Sequence, residues 1–236
     1  MKKLTIMVSL YNSGEWIENR LNNLLESTMN EHSEIWCVNA NSPDLRDEQI
    51  PLKYPVKYHR LSERIGVYAA WNYIIKNSNS EYITNANSDD IVAPNCYERL
   101  ITVLDHAPEF DFAYPSWHST SVANQKWASL KEMDSAGKPG TFCGNLDSAG
   151  VGHFPLWRRS VHDKIGHFDE SFKAAGDADW WLRSHYIAKS KFIWVNEFLG
   201  CYLYRHGANL WHSEMTSEEW GKLHTKTAEY KRGKNG

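Results

Sequence analysis

Only four cysteines, Cys37, Cys96, Cys143 and Cys201, occur in the 236 residues, and none belongs to a Cys-x-x-C pair. That scatter excludes a zinc knuckle, a dithiol redox motif and a dense disulfide framework, and a reducing compartment is the simplest reading. No stretch approaches the roughly 18 apolar residues that cross a bilayer. The opening MKKLTIMVSLYNSGEW lacks the long apolar core and small-residue cleavage site of a secretory leader. Positive charge is not in excess either. Lys and Arg number 26 against 29 Asp and Glu, so no overall field draws the protein onto nucleic acid. Internal repeats, low-complexity blocks and linkers are also missing, and the sequence reads as a soluble cytoplasmic protein.

What is present is the composition of a packed core. With 42% hydrophobic residues, 11 Trp, 12 Tyr and 8 Phe, the chain can bury a large apolar volume without staples. Leu4 to Leu10 is an apolar, β-branched run that predicts a central strand, and Trp16, Ile17, Leu21, Leu24 and Leu25 recur behind it at helical spacing. EIWCVNANSPD and VKYHRL predict two further strands. Val67, Ala70, Trp71, Ile74 and Ile75 trace a second helical face, and EYITNANSDD a strand running into an acidic turn. This β-α-β-β-α-β alternation predicts a single α/β, Rossmann-like domain, its mostly parallel central sheet flanked by helices. Ligands bind such sheets at the carboxyl ends of the strands. Tyr11-Asn12, Asn39-Ala40-Asn41 and Asn87-Ser88-Asp89-Asp90 are therefore expected on one rim.

Further along, Pro94 to Leu104 predicts a helix and DFAYPSW a strand, while Ser119 to Gly150 is the least periodic part of the chain and reads as a long loop or a weak excursion on the acceptor side. GHFPLWRRSVHDKIGHFDESF predicts a strand, a short helix and a loop, GDADWWLRSHYIAKS a helix, and KFIWVNEFLGCYLYRH a pair of strands. Thr216 with Glu219 three residues later has the spacing of a capping box for a terminal helix carrying Trp220, Leu223 and Tyr230.

Two acidic groups are candidates for chemistry. Adjacent carboxylates at Asp89 and Asp90 repel, a cost relieved by a divalent cation shared with a ligand's phosphates; a plain turn before the next helix is the alternative. In Gly176-Asp177-Ala178-Asp179 the carboxylates are two apart and cannot share one helix face. Asp179 precedes Arg183 by four and can pair with it. Asp177 either caps the helix or reaches into a cleft.

Five blocks in order resemble the inverting family-2 glycosyltransferases of the GT-A fold. These are VSLYNSGEWIENRLNNLL, EIWCVNANSPD, IGVYAAWNYIIKNSNSEYITNANSDDIVAPNCYERL, GHFPLWRRSVHDKIGHFDESFKAAGDADWWLR and LGCYLYRHGANLW. The resemblance implies a GT-A domain over residues 1–211, with a nucleotide-sugar half to about 105, an acceptor half over 106–211, and a polar, basic tail over 212–236. It further implies that Tyr11, Asn39, Arg64 and Asn72 contact the nucleotide, that Asp89 and Asp90 meet ribose and metal, and that His206 lies near the metal. Asp177 is implied as the base that deprotonates the acceptor hydroxyl. With the rim residues Asn12, Asn41 and Asn87 this completes the expected donor side. The cofactor implied is Mn²⁺ or Mg²⁺, and the partners are a nucleotide-diphospho-sugar donor and a carbohydrate or lipid-linked acceptor.

This sequence departs from the family at three places. Asn39-Ala40 stands where relatives carry Asp-Asp, which leaves GDP- and dTDP-sugars open beside UDP-sugars. Asn87 replaces the first acid of the metal motif, and Ala-Gly-Asp replaces Glu-Asp before the base. His153 is a candidate acceptor contact, with a structural histidine as the alternative; Trp180 is read both as core and as an acceptor contact. The basic tail offers peripheral contact with an anionic membrane, or a polar helix packed on the domain. Two other functions fit the same fold. One is a carbohydrate-binding or scaffolding protein without turnover. The other is a nucleotidyltransferase, which would want a glycine-rich basic loop where LYNSGEW has one Gly and no Lys or Arg.

Overall fold

The computed structural model describes residues 2–131, 133–145, 150–205 and 214–233. In chain order the elements are β1 (Leu4–Leu10), α1 (Ile17–Leu25), β2 (Ser33–Asn39), α2 (Arg46–Gln49), β3 (Lys57–Arg60), α3 (Val67–Asn77), β4 (Tyr82–Asn85), β5 (Ile91–Val92), α4 (Cys96–His106), β6 (Phe112–Thr120), β7 (Ser135–Gly137), β8 (Leu156–Arg158), α5 (Val161–Ile165), α6 (Gly176–Tyr186), β9 (Phe192–Leu203) and α7 (Glu214–Lys231). One mixed sheet runs in the order β3-β2-β1-β4-β8-β6-β9-β5, with β7 added to β6. Its long ladders, β1 with β2 and β4 and β6 with β9, are parallel; the antiparallel ones through β5, β7 and β8 are short.

The apolar run of β1 is explained by burial on both faces. Leu4, Ile6, Val8 and Leu10 pack with Leu21 and Leu24 of α1 and Leu100 and Leu104 of α4. Met7 faces the opposite layer, with Trp71 and Ile74 of α3 and Trp180 of α6. The period of two along the strand thus sorts the core into two sheets of contacts, each covered by amphipathic helices.

Three local expectations are corrected. KFIWVNEFLGCYLYRH is not a strand pair: β9 is one strand that follows β6 throughout, and its register shifts twice between Pro115 and Trp117. A proline cannot donate to the ladder, so the extra residues of β9 bulge there rather than turning back. Within Ser119 to Gly150, Ser135–Gly137 pairs with β6 as β7, because glycine at 137 admits the Trp117 indole where any Cβ would collide with it. The Thr216–Glu219 capping box does not form. The helix starts at Glu214, which places Thr216 inside it, and the buried Glu219 carboxylate accepts instead from the backbone amides of Lys173, Ala174 and Ala175. Two cations of α7 are held against the domain, Lys222 bonded to Ser171 and Lys226 paired with Asp169.

Between α1 and the sheet edge, a buried polar knot fixes the strand that follows the acidic turn. Asn23 donates to Val92 O at 2.8 Å and accepts from Val92 N at 2.9 Å, and the wholly buried Arg20 donates to Asn23 and to Tyr97. Asn23→Ala strands both main-chain groups of Val92 in the interior. We expect it to destabilise the fold by about 2–4 kcal/mol in urea denaturation, with the m-value unchanged.

Candidate active site

The parallel strands β1, β2 and β4 end on one side of the sheet, Leu10 level with Asn39 and Asn39 level with Arg60. β9 runs the same way and delivers Tyr204 and Arg205 to that rim. The chain turns there through Asn12 and Asn41, whose φ angles of 53° and 57° lie in the left-handed region that asparagine tolerates. Cross-links then fix the loops. Asn12 N donates to Ser42 Oγ, and Ser13 N donates to the buried Asp47 carboxylate, whose pKa is raised by burial. The exposed Arg64 guanidinium stacks over the Tyr11 ring at 4.5 Å, a platform open to solvent at the end of β1.

The acidic turn divides its two carboxylates. Asp90 is 1% exposed, and its oxygens accept from Leu203 N and Asn87 Nδ2, both at 2.9 Å. Burial, reinforced by the charge of Asp89, pushes its pKa up to about 7. Asp89 remains partly open and forms a 2.9 Å ion pair with Arg205, whose guanidinium lies over the Trp16 ring at 4.4 Å. Asp90 therefore holds the turn to the end of β9.

Asp177 sits in the first turn of α6, half-buried. Its Oδ1 accepts from Ala178 N at 2.9 Å and lies 3.3 Å from the Tyr68 hydroxyl, which also donates to Ala174 O at 2.8 Å. Tyr68 is the second residue of α3, so it joins the start of the helix that follows β3 to the start of α6. Glycine at 176 is required for this contact, because a Cβ there would stand 2.7 Å from the Tyr68 ring. Burial raises the Asp177 pKa to about 6, the Glu219 charge adding to the rise and the hydrogen bonds opposing it. The group is thus ionised at neutral pH and still basic enough to take a proton.

Other expected residues are placed differently. Asn39 is fully buried, donating to Tyr58 and accepting from Ser42 N, so it shapes the loop after β2. Asn72 is 2% exposed and clamps the Phe168 main chain and Glu170, so it ties α3 to the loop before α6. Trp180 has no exposed surface and packs on Phe112, Trp157 and His162, which removes it from the acceptor side. His153 does reach the rim. It stacks on Tyr202 at 3.8 Å, and burial lowers its pKa to about 4, so it is neutral there. Asn41 is held by Arg60 and by Ser62 O, still at the surface of the loop. His206 lies outside the described residues. Tyr68 and Arg205 are the residues that sequence reasoning passed over, although both sit inside the blocks IGVYAAWN and LYRH quoted for other members.

The rim fits a divalent ion only in one way. Among the described residues there is no group of three His, Cys, Asp or Glu able to hold a metal, and Asp89 is the one accessible carboxylate of the turn. Mg²⁺ and Mn²⁺ commonly take one or two protein carboxylates and fill the shell with water and phosphate oxygens. The donor set suits an ion that arrives with a diphosphate, not a preassembled metal centre.

Comparison with known proteins agrees with this architecture. Residues 5–166 match the family model described as glycosyl transferase family 2. An uncharacterized glycosyltransferase of Rickettsia typhi is 29% identical over 192 residues, covering 76% of this chain and 58% of the relative. One of Rickettsia conorii is 25% identical, covering 80% of this chain and 32% of the relative. The chain therefore spans little more than half of the first and about a third of the second. Among solved structures, S. aureus TarS 1-349 in complex with UDP-GlcNAc superimposes with a TM-score of 0.77 at 19% identity, covering 98% of this chain and 66% of that one. The mannosyltransferase PcManGT from Pyrobaculum calidifontis, in complex with GDP-Man and Mn²⁺, gives 0.72 at 13% identity, covering 96% and 64%. These two likenesses establish the GT-A fold. With the family model matched over more than half of its length, the chain belongs to glycosyl transferase family 2.

Proposed function

We propose that the protein moves a sugar from a nucleotide-diphospho-sugar onto a hydroxyl of a glycan, lipid-linked or protein-bound acceptor, with inversion at the anomeric carbon. The observation that carries this reading is the Asp177 carboxyl at the start of α6, half-buried, with a pKa raised to about 6 and its hydrogen bonds gathered on Oδ1. A sugar hydroxyl is a poor nucleophile at neutral pH. Asp177 takes its proton while the acceptor oxygen bonds to the anomeric carbon, and the bond from that carbon to the diphosphate breaks, its electron pair leaving with the nucleoside diphosphate. A single base and an in-line displacement give inversion, by the geometric logic that separates inverting from retaining sugar chemistry.

The donor side of the proposal comprises Tyr11, Asn12, Asn41, Arg64, Asn87 and Asp89. The Tyr11–Arg64 pair offers a flat, cationic face to a nucleotide, and Asp89 would hold the ion. A bound divalent cation there supplies charge stabilisation for the departing diphosphate. Relatives in the fold family bind UDP-GlcNAc and GDP-Man with Mn²⁺, which supports a donor of this chemical class. The Asp89–Arg205 ion pair favours a second arrangement, in which the guanidinium itself faces the leaving group. Chelation separates the two.

Three outcomes test the reading. In a transfer assay kcat should rise with unit slope through about pH 6 and level off above it, because Asp177 acts only when ionised. Asp177→Asn should lower kcat by about 1000-fold, or roughly 4 kcal/mol, while donor-induced stabilisation in a thermal shift is retained. Wild-type turnover by that variant removes the mechanism. Asp89→Asn should cost about 100-fold in kcat and abolish activation by Mn²⁺. Full activity in EDTA, lost in Arg205→Gln, would select the guanidinium arrangement instead.

A further inference from the structure

The base of the proposed reaction is held from outside its own half of the fold. The chain between α5 and α6 reaches Asp177 through Lys173, Ala174 and Ala175, and α6 has no side-chain cap of its own at Ala175. The three successive amides point instead at one carboxylate, that of Glu219 on α7, with Ala174 N and Ala175 N each at 2.8 Å. Three N–H donors around a single anion form a nest, and charge-assisted bonds of this kind are about twice as strong as neutral ones. The same helix is bolted to α6 one turn further on. Tyr230 Oη donates to the wholly buried Asp179 at 2.6 Å, and Asp179 is bonded at its other oxygen by Arg183.

We propose that Glu219 is a positioning residue for catalysis: by gripping the amides that precede α6, it sets the placement of the Asp177 carboxyl against Tyr68. The inference rests on the reading of Asp177 as the base. Three features support it. Glycine at 176 has no side chain with which to fix the turn locally, and the Tyr68 ring occupies the space where one would be. Tyr68 Oη bonds Ala174 O, the carbonyl between two of the gripped amides, so a shift of that peptide moves the hydroxyl that meets Asp177. Glu219 also acts on Asp177 through charge; the titratable groups that bear on this carboxyl are Tyr68 from α3 and Glu219 from α7.

The test pairs a direct readout of the grip with a readout of its consequence in Glu219→Ala, with Glu218→Gln, an exposed neighbour on the same helix, as control. Amide hydrogen exchange over residues 173–178 should speed up at least tenfold in Glu219→Ala, with protection in β1 to β4 unchanged. Turnover should fall by at least tenfold with the KM for the donor unaltered, and the acid limb of kcat should move to lower pH, since a neighbouring negative charge has gone. The isosteric Glu219→Gln, which keeps an acceptor and loses the charge, should recover part of kcat yet keep the displaced limb. If Glu219→Ala loses protection throughout the protein, Glu219→Gln carries the comparison alone. Faster local exchange with kcat and its pH profile intact would overturn the proposal, as would unchanged exchange or the same kinetic effect in Glu218→Gln. Failure of the underlying reading looks different: Asp177→Asn would then turn over normally, and the positioning role would fall with it. An inactive Asp177→Asn beside a fully active Glu219→Ala rejects the positioning role alone.

Discussion

A carboxylate removed from water must be given hydrogen bonds, and this protein uses that demand to tie its rim together. Asp47 receives the Ser13 amide and thereby sets the loop after β1. Asp90 receives Leu203 N, which joins the acidic turn to the end of β9. Glu219 receives three amides ahead of α6. In each case an acid from one element satisfies the main chain of another, so irregular loops that carry chemistry are held as firmly as strands. Asp89 and Asp177, by contrast, keep partial exposure.

That division explains which parts of the site were legible in the sequence. The strands, the two layers of core and the order of loops on the rim follow from the periods of Leu4 to Leu10 and of the helical faces of α1 and α3, signals that are strong because both faces of the sheet are covered. The positions of the acidic turn at the rim and of Asp177 at the start of α6 were legible too, since Asn, Ser, Asp and Gly cluster there. What did not come through is direction. Nothing in the spelling of Asn39, Asn72 or Asp90 says whether a polar side chain faces the cleft or turns back to the main chain; all three turn back. Trp180 followed its helical period into the core.

Glu219 is the clearest instance of a local pattern overruled by a distant partner. Thr216-x-x-Glu219 has capping-box spacing, yet a carboxylate offered three amides across the fold gains more than one bonding its own helix end. The strand misreading has a similar origin. β9 lacks a turn signal, and only its long parallel partner β6 shows that the chain runs on past Asn196 and Glu197.

Tyr68 and Asp177 are 109 residues apart in the chain, one on α3 and the other on α6. Closure over such a separation is entropically costly and belongs late in assembly. The placement of the Asp177 carboxyl is thus a property of the whole fold rather than of α6 alone: whatever separates α3 from α6 moves it.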